Sequence, residues 1–158
     1  MVISAHLTPR LLERLGELIR ADIDSYKAFQ AAADAADDPQ LTAVLRELAR
    51  QRRHFAEQLK PHVEWQENQP ATAGSARGRV HRWWIDVRSR LTGGSEFALV
   101  SDVARGEQQL ARQYRQVLEK TRDDRAVTGL LSEHLAAIES AAARLAELRE
   151  AMKPGPDP

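Results

Sequence analysis

TPRLLERLGELIRADIDSYKAFQAAADAADDPQL, residues 8–41, contains one complete helix and the start of a second. Thr8 followed by Pro9 is an N-cap with proline at the first helical position, where the missing N–H has no intrahelical partner to lose. Leu11, Leu15, Leu18, Ser25, Phe29 and Ala32 then recur at the spacing of one helical face. Asp37-Asp38-Pro39 repeats the start signal with Asp38 as the cap, and Leu41, Leu45, Leu48, Phe55 and Leu59 continue the apolar pattern. The reading is a first helix over 9–36 turning directly into a second over 39–66, kinked near Pro61. Two long amphipathic helices joined by so short a turn form an antiparallel hairpin.

The same grammar recurs after a break. Residues 67–78 have no periodicity and many turn formers, and predict an exposed connector. A short basic helix is expected over 79–91, and Gly93-Gly94 stops it before Ser95 caps a third long helix over 95–121 with the stripe Val100, Val103, Leu110, Tyr114 and Val117. Asp123-Asp124 opens a fourth over 124–151, with Val127, Leu131, Ile138, Leu145 and Leu148 on one face. Residues 153–158, rich in proline, read as a flexible tail. The expected class is all-α: two hairpins forming an antiparallel four-helix bundle with a crossover helix, one domain over 1–152.

Composition narrows the function classes. The 158 residues include no cysteine, which removes disulfides, zinc-thiolate sites, iron–sulfur clusters and thiol nucleophiles. Lys+Arg and Asp+Glu balance at 23 each, so no global field draws the chain to nucleic acid. The first residues lack a basic segment followed by an apolar one, and no apolar run approaches the roughly 20 residues of a membrane span. A cytoplasmic protein without a membrane span is the expectation. The Gly-rich phosphate loop, the dinucleotide fingerprint and the nucleophile elbow are all missing.

Chemistry concentrates where acids interrupt the apolar stripes. Asp22 lies four residues past Leu18 and seven before Phe29; Glu107 lies four past Val103 and seven before Tyr114. This is one acid-and-aromatic pattern repeated on the first helix of each hairpin. A carboxylate on a core face is costly unless it meets a cation, a donor or a metal. Counting back from each turn sets Asp22 level with Gln51–His54 and Glu107 level with Glu139. Asp22, Gln51, His54, Glu107 and Glu139 are therefore the candidate set for a metal or for a buried polar layer. In the second case arginines such as Arg52 or Arg53 pair the acids and fix helix register. His6, His62 and His134 have no partner at ligand spacing and read as surface or boundary residues.

The stretches Asp38-Pro-Gln-Leu…Phe55-Ala-Glu-Gln-Leu59, His81-Arg-Trp-Trp…Leu91-Thr-Gly-Gly94 and Arg105-Gly-Glu107…Tyr114-Arg resemble a small bacterial branch of the ferritin-like four-helix-bundle superfamily, a branch of unassigned function. That superfamily's two-metal site takes a Glu from each of two helices and a Glu-x-x-His pair from each of the others. By this resemblance Asp22 replaces the first Glu, Gln51-Arg-Arg-His54 the first pair, Glu107 the second Glu, and Glu139-Ser-Ala-Ala142 the second pair. Gln51 is neutral where a carboxylate belongs and Ala142 has no ligand atom, so the set is degenerate. The remaining oxygens and single imidazole suit Mn, Fe or Zn.

Arg79, Arg82 and Arg88 surround Trp83 and Trp84, the one concentration of charge with aromatics. This segment reads as a crossover element over the bundle end or a contact between copies; lipid or nucleic-acid binding is the competing reading. The functional expectation is a non-catalytic or weakly metal-binding scaffold or interaction protein, whose partner is another protein or a second copy. The rivals are an Fe- or Mn-dependent oxidase or metal-handling protein, and a lipid- or nucleic-acid-associated protein.

Overall fold

A computed structural model describes residues 7–63, 95–122 and 124–153. The expected crossover helix over 79–91, with Arg79, Arg82, Trp83, Trp84 and Arg88, lies outside the described residues, as do 64–66 and 154–158. Among the described residues the protein is all-α, with four long helices and no strand: α1 Pro9–Ala35, α2 Pro39–Leu59, α3 Glu96–Lys120 and α4 Arg125–Ala151. None of these is long and apolar enough to cross a membrane.

Each helix starts on a side chain that satisfies backbone donors the helix itself leaves open. Thr8 Oγ1 accepts from Leu11 N–H at 3.3 Å, Asp38 Oδ1 from Gln40 and Leu41 N–H at 2.7 and 3.2 Å, Ser95 Oγ from Ala98 N–H at 3.2 Å, and Asp124 Oδ1 from Val127 N–H at 3.1 Å. The end of α2 differs from the sequence expectation. The α-helix stops at Leu59 and tightens into a 3-10 turn over Lys60–His62. Pro61 has no N–H to continue the ladder, and its ring crowds the preceding turn.

α1 packs along α2, α3 along α4, and α1 against α3. The last contact runs in opposite directions: Glu96 at the start of α3 meets Asp37 and Asp38 beyond the end of α1, whereas Tyr114, late in α3, meets Asp22. The Glu96 carboxylate accepts from both backbone N–H groups, at 2.7 and 2.9 Å, and so ties the second pair of helices to the turn of the first.

The apolar stripes bury into two clusters. One contains Leu15, Leu18, Phe55, Leu59, Leu110, Tyr114, Leu131 and Ile138; the other contains Phe29, Leu41, Leu45, Val100, Val103 and Leu145. Each fully buried Leu, Ile or Phe contributes about 1.5–3 kcal/mol of transfer free energy. On α1, α2 and α3 the residues between the two clusters are Asp22 and Ser25, Arg52, and Glu107, all buried. A polar layer divides the core.

Candidate functional site

Arg52 is the centre of this layer. Its side chain is fully buried, and its guanidinium grips Glu107 through two donors, Nε to Oε1 at 3.1 Å and Nη2 to Oε2. Nη1 donates to Gln51 Oε1 at 2.6 Å. Phe55 and Phe29 present rings 5.3 and 5.9 Å from the guanidinium carbon, within reach of a cation–π attraction. Ser25 Oγ also donates to Glu107 Oε1, at 3.3 Å. The planar fork thus finds both oxygens of its carboxylate, the geometry in which a buried ion pair offsets most of its desolvation.

Asp22 has a different environment. Tyr114 Oη donates to its Oδ2 at 2.5 Å, while its Oδ1 is buried without a hydrogen-bond partner among the described residues. Burial pushes the Asp22 carboxyl up to about 8; the Tyr114 hydrogen bond and the Arg52 charge oppose this and the Glu107 charge adds to it. Burial also raises the Tyr114 phenol well above its ordinary value, reinforced by Asp22. Tyr114 Oη lies 3.3 Å from Nδ1 of His134, whose Nε2 is 2.8 Å from Gln58 Oε1. The His134 ring stacks on Phe55 with centroids 3.9 Å apart. Burial lowers its pKa to about 4, with the charges of His54 and Arg52 acting the same way.

The structure brings together only part of the candidate set. Asp22 and Glu107 are buried and Gln51 reaches the layer through Arg52, but His54 and Glu139 are exposed. Glu139 accepts from Arg115 Nε and Nη2 at 3.1 and 2.8 Å, in an open groove with Gln108 and Arg112. Arg53 is exposed too, stacked over Tyr26. Counting from the turns gives a height and not a direction, and successive helical residues are separated by about 100° around the axis. That rotation turns Arg52 and Phe55 inward on α2 and leaves His54 outside; on α4 Ile138 faces in and Glu139 does not.

His134, read from the sequence as a surface or boundary residue, is instead buried at 1% exposure. Among the described residues no group of three or more His, Cys, Asp or Glu is placed to hold a metal. A two-metal carboxylate centre does not fit these residues: Glu107 has both oxygens turned to Arg52, and a guanidinium already brings positive charge to the layer.

The family described as Domain of unknown function (DUF2383) matches residues 10–120. That span takes in α1, α2 and α3, and with them Asp22, Arg52, Glu107 and Tyr114. No curated protein matches the chain.

Proposed function

We propose that this chain, which belongs to the DUF2383 family, is an antiparallel four-helix bundle on the ferritin-like plan that acts as a non-catalytic scaffold or interaction protein. In this reading the Arg52–Glu107 pair and its neighbours replace the carboxylate metal centre of that plan and set the register of the helices. The observation that carries it is the fully buried guanidinium of Arg52 on both oxygens of Glu107. The guanidinium fork takes up both carboxylate oxygens that Mn or Fe would need, and brings the positive charge a metal would otherwise supply. Buried ion pairs are best attested as devices of specificity, choosing one alignment of helices over its neighbours. The rival metal-dependent oxidase would need Arg52 displaced and His54 and Glu139 rotated inward from the surface.

Metal analysis of protein purified without chelators tests this reading. The expected content of Mn, Fe or Zn is far below one equivalent, with no rise in melting temperature on adding Mn(II), since a ligand at 100 times its Kd would add about 2.7 kcal/mol. More than about half an equivalent of bound metal, lost in Glu107→Ala, overturns the proposal, because tight binding needs a deprotonated ligand set formed by the fold.

A further inference from the structure

The hydroxyl of Tyr114 has one proton and two neighbours placed to receive it, Asp22 Oδ2 at 2.5 Å and His134 Nδ1 at 3.3 Å. The far end of the chain decides between them. Gln58 turns its amide oxygen to His134 Nε2 at 2.8 Å, a hydrogen bond in the tautomer that carries its hydrogen on Nε2. In a neutral imidazole Nδ1 is then a bare lone pair, and Tyr114 is the donor within reach. Tyr114 donates to Asp22 Oδ2 while that carboxylate is ionised; once Asp22 Oδ2 carries a hydrogen, it donates to Tyr114 and the phenol proton turns to His134. The charges agree: Arg52 and Glu107 already cancel, and among the described residues Asp22 Oδ1 has no donor to support an ionised carboxylate.

We infer that Asp22, Tyr114, His134 and Gln58 form a one-proton relay that exchanges the proton of a buried carboxylic acid with solvent between α2 and α4. The transfer balances at every atom. The Asp22 proton passes to Tyr114 Oη, the Tyr114 proton to His134 Nδ1, and the Nε2 proton leaves to water beside half-exposed Gln58. Asp22 is left ionised and accepts from Tyr114; Tyr114 accepts from Nδ1–H of His134; and the Gln58 amide turns to donate to Nε2. Every hydrogen bond reverses and no charge stays on Tyr114 or His134. Among the described residues, the charged and titratable groups whose charges act on the relay are Arg52 and His54 from α2 and Glu107 from α3. The raised Asp22 and lowered His134 values are consistent with the neutral form of the chain.

Two spectroscopic measurements on the whole protein at neutral pH test the relay. Nitrogen-15 NMR is expected to show His134 as the neutral Nε2–H tautomer, whereas the Nδ1–H tautomer or an imidazolium overturns the proposal. Infrared spectra are expected to contain a protonated carboxyl band that Asp22→Asn removes. On transfer to deuterium oxide this band shifts at least about tenfold more slowly in Tyr114→Phe, because without the relay the proton waits for local opening of the fold. Exchange at the wild-type rate in that variant overturns the relay. The tautomer measurement needs no variant and stands even if Tyr114→Phe folds poorly.

Discussion

Glu107→Leu is expected to destabilise the protein by about 3–5 kcal/mol, because it leaves the guanidinium of Arg52 buried near two phenylalanine rings without its bidentate carboxylate. That is a large share of the roughly 5–15 kcal/mol by which domains are stable. Arg52→Met in the wild-type background is expected to be costly for the complementary reason, since it strands a buried carboxylate. Arg52→Met with Glu107→Leu removes both charges and replaces them with apolar groups of similar size. This double variant is expected to recover most of the loss and to lie between about wild-type stability and 4 kcal/mol above it. Urea unfolding monitored by circular dichroism measures all three, with an unchanged m value as the check that the same surface is exposed. A Glu107→Leu protein within about 1 kcal/mol of wild type would mean that the pair is solvated and the layer unimportant to stability.

The second large effect is on the pH profile. Asp22 titrates near 8 in the folded protein and at 3.8 in an ordinary setting; His134 titrates near 4 and at 6.5 respectively. From about 4 to 6.5 the folded chain holds an extra proton on Asp22 while the unfolded chain holds one on His134, and the two slopes oppose one another. From 6.5 to about 8 only the Asp22 proton distinguishes the states. The folded state binds it and the unfolded state does not, so stability falls as pH rises, by about 1.4 kcal/mol per pH unit and roughly 2 kcal/mol in all.

Asp22→Asn keeps the shape and removes the titration. Its stability is expected to rise between pH 4 and 6.5, from His134 alone, and then to remain level where the wild type declines. The difference between the two proteins, followed through their urea midpoints, isolates Asp22 from other groups. Parallel profiles above pH 6.5 would show that Asp22 is ionised in the fold.

The helices are legible in the sequence because their signals are local. Thr8-Pro9, Asp38-Pro39, Ser95 and Asp124 each carry a cap whose chemistry acts within a turn of its own position. The polar layer is legible in height and less so in direction. Each apolar stripe skips one beat, leaving a step of seven from Leu18 to Ser25, Leu48 to Phe55, Val103 to Leu110, and Leu131 to Ile138. The residues in those gaps at helical spacing are Asp22, Arg52, Glu107 and His134, and all four are buried. On α1 and α3 the acids stand out as interruptions. On α2 and α4 a search for a Glu-x-x-His pattern favours Gln51, His54 and Glu139, whose side chains flank the stripe. Continuing the apolar period through each gap would have found Arg52 and His134 without a motif. The bond from Tyr114 to Asp22 joins residues 92 apart in sequence, and no local signal encodes which of two antiparallel helices brings an aromatic to an acid.

Glu96 gives the architecture a built-in reporter. The backbone N–H groups of Asp37 and Asp38 belong to the first hairpin, yet their acceptor belongs to the second. In deuterium exchange these two amides are protected only while the hairpins are docked, whereas amides inside α1 and α2 lose protection only when their own helix opens. Their exchange rate therefore clocks the separation of the two halves independently of the unfolding of either.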